Sequence, residues 1–132
     1  RAEYTLPDVS QTVIITRMAG RTPVPEKESI AALAAHNATM VIFLSTGLLK
    51  ELSAELIRGG YKPDTPAAIV YKASWADQKV CRCTVDDLAQ TASDNGITKT
   101  ALICVGYFLG NDYSLSKLYD KSFETEFRKA EI

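Results

Sequence analysis

The sequence predicts an α/β fold, a five-stranded mixed, mostly parallel sheet with flanking helices. Three observations carry this. Short apolar runs such as Val13-Ile14-Ile15 and Met40-Val41-Ile42-Phe43-Leu44 alternate with stretches of helical periodicity. Glycine, proline and asparagine punctuate the junctions between them. One short polar connection, Lys72 to Asp77, joins two strand-like runs and fits an antiparallel hairpin; a parallel return needs a longer crossover.

Each element can be justified in chain order. Residues 1–11 are a mixed polar lead-in containing Pro7, and residues 12–17 form the first strand. The segment Met18-Ala19-Gly20-Arg21-Thr22-Pro23-Val24-Pro25 leads from it to a helix over 26–36, which Asn37 ends in a left-handed cap. The second strand, Met40–Leu44, is apolar at every position, as expected of a strand buried on both faces. Ser45-Thr46-Gly47 turns into a second helix, where Leu48, Leu49, Leu52, Leu56 and Ile57 recur at helical spacing and Gly59-Gly60 stops it. The third strand is Ala67–Tyr71, and Gln78–Thr84 alternates as a fourth. Asp86-Asp87 open a third helix that runs to Asn95-Gly96, and Ala101–Val105 is the fifth strand. The charged tail 111–132 carries Leu115, Leu118, Phe123 and Phe127, and is expected to pack as a short helix and an arm.

Composition narrows the function. The 132 residues suit one domain, taken as 1–132. A net charge of −1 argues against a broad nucleic-acid footprint. No apolar run approaches the roughly 20 residues needed to span a bilayer, and residues 1–10 show no signal-peptide pattern. The three cysteines, Cys81, Cys83 and Cys104, lie in strands, which fits reduced thiols in a cytoplasmic protein. The only histidine, His36, sits beside a helix end, so no metal site and no protease-like triad is expected.

Phosphate-binding glycine patterns are absent. The strand ends are more informative: Arg17 and its loop, Leu44-Ser45, Tyr71-Lys72-Ala73 and Val105-Gly106-Tyr107. If the first three strands run parallel, their ends converge on one sheet edge, where open α/β sheets bind ligands. The prolines stiffen the loop that carries Arg17 and Arg21. By composition alone, these arginines are either ligand-facing or simply solvated.

The stretch Thr16-Arg17-x-x-Gly20-Arg21-Thr22-Pro23-Val24-Pro25-Glu26 closely resembles the opening of the C-terminal domain in the precorrin-4 C(11)-methylating branch of the tetrapyrrole methylase family. The resemblance continues through Phe43-Leu44-Ser45, Ala68–Trp75, Ala101–Gly106 and Ser116-Lys117-Leu118-Tyr119-Asp120. It implies a two-domain enzyme that transfers a methyl group from S-adenosylmethionine to C-11 of precorrin-4 or cobalt-precorrin-4 in cobalamin biosynthesis, releasing S-adenosylhomocysteine. The cofactor would lie between the domains, against Leu44, the backbone of Tyr71, Lys72 and Ala73, and the loop Gly106–Leu109. Arg17, Arg21, Thr22 and Pro23 would face the tetrapyrrole, or the arginines would tie this domain to the N-terminal one. That domain is missing here, so this chain alone is expected to be inactive; the full-length form is expected to be a homodimer. Cys83 stands where the family pattern leads one to expect glycine. No catalytic residue is assigned. The alternative is a non-catalytic small-molecule-binding or interaction module of the same fold.

Overall fold

The computed structural model describes residues 5–44, 46–99 and 101–110. The tail expected to form a helix and an arm, and Ser45, lie outside these residues. Five strands form one sheet: β1 (Val13–Arg17), β2 (Thr39–Leu44), β3 (Pro66–Tyr71), β4 (Lys79–Thr84) and β5 (Ala101–Val105). Three helices join them: α1 (Ile30–Ala34), α2 (Leu49–Gly59) and α3 (Leu88–Asp94). The spatial order is β1-β2-β5-β3-β4.

The sheet is mixed, as expected, but its pairing is not mostly parallel. Only β1 and β2 pair in parallel; β2 with β5, β5 with β3, and β3 with β4 are antiparallel. The cause is the hairpin. It reverses the chain at β4, and the α3 crossover carries that reversed direction into β5, which inserts between β2 and β3. Strands β1, β2 and β3 all point the same way, while β4 and β5 point the other. Because the α3 crossover joins strands of reversed direction and also travels back across the sheet, a single crossover hand puts all three helices on one face.

That face holds the main core. Ile42, Ile69 and Ile103 from three strands meet Leu52 and Leu56 of α2 and Leu88 of α3. Burying each such side chain contributes about 1.5–3 kcal/mol. The expected first helix is broken in two. Ser29 adopts an extended conformation between a 3-10 turn (Glu26–Glu28) and α1, and its hydroxyl accepts from the Ala32 N–H at 3.2 Å as an N-cap. Asn37 sits at φ 48°, in the left-handed region assigned to it. Gly59 is the last residue of α2, where a Cβ would lie 2.3 Å from the Ala31 carbonyl oxygen, so α1 and α2 approach too closely for any side chain. The stop itself is Gly60, at φ 139°.

On the opposite face, Leu6 and Phe108 cover Val41, Ala68 and Cys104. The next row, Phe43-Leu102-Val70-Val80, runs across four strands in register. Its two ends are open, with Phe43 53% and Val80 54% exposed. Strand β2 is therefore not buried on both faces along its whole length, as its composition suggested.

Candidate functional site

The shared direction of β1, β2 and β3 brings Arg17, Leu44 and Tyr71 to one sheet edge. Four residues expected against the cofactor, Leu44, Tyr71, Lys72 and Ala73, lie at this edge or just beyond it. Gly106 and Leu109 do not. Strand β5 runs the other way, so its end lies beside the start of β2, and a Cβ on Gly106 would sit 3.3 Å from the Thr39 Cα. The residue that β5 contributes to the edge is Ala101, the register partner of Leu44. Sequence reasoning misses it because strand direction has to be followed through the hairpin. Ala73 is small and exposed, which leaves the neighbouring backbone approachable for a ligand, whereas Ala101 is buried in the helix-side core.

The Arg17 loop is internally tied. The Arg17 guanidinium donates from Nη1 to the Thr22 carbonyl and from Nη2 to the Pro23 carbonyl, each at 3.2 Å. One arginine thus folds the loop back on its own strand, and the prolines limit its alternatives. Arg21, Thr22 and Pro23 are exposed. Among the described residues, Arg21 has no hydrogen bond or ion pair. The two arginines therefore differ: Arg17 shapes the loop, and Arg21 is the free cation on it. Beside them a hollow of about 570 Å³ is lined by Ile15, Arg17, Val24, Pro25 and Phe43 among others.

At the other end of the edge, the β3–β4 hairpin is strained and pinned. Lys72 and Ser74 have φ values of 51° and 72°, uncommon for side-chain-bearing residues. The Lys72 ammonium meets Asp77 at 2.6 Å. That hydrogen bond holds the Lys72 pKa above its ordinary value and the Asp77 pKa below its own. Cys81 and Cys83, two apart on β4, pack against the helix-side core, and Cys104 is buried on the opposite face; all three thiols are free. Burial pushes the Cys83 and Cys104 thiols up in pKa. Among the described residues, no helix is long and apolar enough to cross a membrane.

Residues 1–89 match the model of the Tetrapyrrole (Corrin/Porphyrin) Methylases, well over half of the chain. The chain belongs to this family. Over 131 residues it is 54% identical to the cobalt-precorrin-4 C(11)-methyltransferase of Methanocaldococcus jannaschii, covering 98% of this chain and 51% of that protein. Over 133 residues it is 50% identical to the enzyme of the same name from Priestia megaterium, covering 97% of this chain and 51% of that one. The solved structure of a cobalt precorrin-4 methyltransferase superposes with a TM-score of 0.79 at 49% identity, over 83% of this chain and 46% of that chain. A uroporphyrin-III C-methyltransferase of Thermus thermophilus, solved with S-adenosylhomocysteine, shares the fold at a TM-score of 0.61 and 17% identity, over 83% of this chain and 46% of that chain. This tetrapyrrole methylase chain spans about half the length of the curated relatives it matches.

Proposed function

We propose that this chain is one half of an S-adenosylmethionine-dependent methyltransferase that methylates C-11 of precorrin-4 or cobalt-precorrin-4 in cobalamin biosynthesis. The observation that carries the reading is the identity of 50% or more, over nearly the whole chain, with two proteins bearing that name. Their remaining length would supply the other half of the site, an N-terminal domain. In this reading the full-length protein is cytoplasmic and homodimeric, with the open row of Phe43 and Val80 available to an interface.

The residues at the edge fit the cofactor. Leu44 is apolar by type, Ala73 and Ala101 are small, and the turn at Lys72 presents backbone groups beside the half-buried Tyr71. When bound, S-adenosylmethionine supplies a methyl group on an electrophilic sulfonium, so the protein's task is placement and alignment rather than nucleophilic activation. The β2 end at Leu44 would border the cofactor, and the Tyr71-Lys72-Ala73 backbone would hold its polar part. Arg21 would meet a peripheral carboxylate of the macrocycle as a charge-assisted pair, on a loop whose shape Arg17 maintains. Gly106 and Leu109 stand at the far edge, outside this placement.

Methyl incorporation tests the reading. The full-length protein and the 132-residue chain are each incubated with S-adenosylmethionine and the tetrapyrrole, and the product is followed by mass spectrometry. The full-length protein is expected to add one methyl group and the chain alone none. Turnover by this chain alone overturns the half-site reading. Tight cofactor binding by the chain, with no turnover by either protein, favours a non-catalytic binding module.

A further inference from the structure

The β3–β4 hairpin holds one large aromatic side chain out in solvent at the candidate edge. Trp75 is 68% exposed and is the only tryptophan in the chain. Its backbone is fixed on both sides. The Trp75 N–H donates to the Lys72 carbonyl at 3.0 Å, and the Trp75 carbonyl accepts from the Gln78 N–H at 3.1 Å. The Ser74 N–H donates to Gln78 Oε1 at 2.8 Å. The two positive-φ residues, Lys72 and Ser74, are the kind of local strain that gathers at ligand clamps. The Lys72 ammonium lies 5.7 Å from the centre of the Trp75 ring and 5.5 Å from that of Tyr71, within cation–π reach. Asp77 holds that ammonium in place at 2.6 Å.

We propose that Trp75 is a stacking platform for the conjugated ring of the tetrapyrrole substrate, with Lys72 bracing one side of the indole and the other side open to the ligand. This rests on the methyltransferase reading above. Rigid presentation matters because an aromatic anchor that is already oriented loses little entropy on binding. The hairpin also lies three strand spacings, about 14 Å, from the Arg17 loop. A macrocycle with its carboxylate arms bridges that separation; an adenine ring does not. Lys72 and Asp77 offset each other in charge, so the platform contributes contact area rather than net attraction.

The test uses the full-length protein, with uroporphyrin as the carboxylated tetrapyrrole probe and S-adenosylhomocysteine as the cofactor probe, titrated separately. Trp75→Ala is expected to weaken uroporphyrin binding by about 5- to 100-fold, the range for losing one stacked aromatic. Trp75→Phe retains most of the affinity and Trp75→Leu does not. The loss varies little with added salt, and S-adenosylhomocysteine affinity and melting temperature stay at wild-type values. If the wild type binds both probes and Trp75→Ala binds uroporphyrin equally well, the stacking role is overturned alone. Equal losses of both probes also overturn it and place Trp75 at the cofactor or at a domain contact. A wild type that binds neither probe overturns the methyltransferase reading and the platform with it.

Discussion

Leu44, the last residue of β2, and Ala101, the first residue of β5, are register partners at the candidate edge. The antiparallel insertion of β5 makes them neighbours and sends Gly106 and Leu109 to the far side of the sheet. The β2 end of the sheet is therefore bordered by the start of β5, at Ala101, and not by the residues beyond the end of β5.

A matched pair of substitutions in the full-length protein tests this. Leu44→Asp puts an unpaired charge where the cofactor is proposed to rest. At about 2 kcal/mol or more for an uncompensated polar group, it is expected to weaken cofactor binding at least about tenfold. Leu109→Asp, at the opposite edge, is expected to leave that affinity unchanged. Calorimetric titration with S-adenosylhomocysteine on folded variants reads both. Loss at Leu109 with retention at Leu44 would reverse the placement.

The two loop arginines are expected to separate. Arg17 donates to the Thr22 and Pro23 carbonyls, so Arg17→Met loosens the loop and impairs tetrapyrrole binding along with a small drop in melting temperature. Arg21→Met removes an exposed cation with no described partner, and a surface change of that kind stays within about 0.5 kcal/mol in stability. If Arg21 meets a substrate carboxylate, losing a charged hydrogen bond of about 1.5–3 kcal/mol weakens tetrapyrrole binding on the order of 10- to 100-fold. Cofactor affinity is spared, and the remaining binding responds less to added salt. A Tm drop with joint loss of both ligands for Arg21→Met would instead mark it as a tie to the other half of the protein.

Much of this is legible in the sequence. The five strands stand where apolar runs and alternation put them, the Lys72–Asp77 connection is a hairpin, and Asn37 takes positive φ just past the first helix, although the cap itself is Ala35. Hydropathy has no sign for direction, however, so the reversal at β4 does not show in the β5 run, and the sheet reads as mostly parallel. Helical periodicity also does not separate Glu26–Glu28 from Ile30–Ala34, because Ser29 breaks the helix by capping it. Gly59 reads as a stop, and only the packed structure gives its reason, the close approach of Ala31. Trp75 lies inside a polar connection, where the neighbouring residues set no period to explain it.

Stability is expected to fall at alkaline pH. Burial raises the Cys83 and Cys104 thiols above their ordinary value of 9.0, and burial likewise pushes the Tyr61 hydroxyl, which donates to the Ala38 carbonyl, above 10.0. In the unfolded chain these groups release protons first, so the unfolded state binds fewer protons and the folded state loses ground as pH rises past about 9. Melting temperature measured from about pH 7.5 to about pH 10.5 should decline, and less steeply in Cys104→Ser. A flat or rising profile would contradict the buried placement of these groups.

Adjacent residues on β2 should give opposite results. Ile42 is fully buried among Ile69, Ile103 and α2, while Phe43 faces the other way and is 53% exposed. Ile42→Ala in this chain is expected to cost about 2–5 kcal/mol, for lost transfer energy plus the cavity left behind. Phe43→Ala removes a side chain already half in water and should cost about 1 kcal/mol. Urea unfolding of both variants, with unchanged m-values, reads the difference. In the full-length protein the gap is expected to narrow if the row from Phe43 to Val80 is covered by an interface, because Phe43 then loses buried contacts as well. Equal costs for the two substitutions in the 132-residue chain would mean that the open face is already covered there.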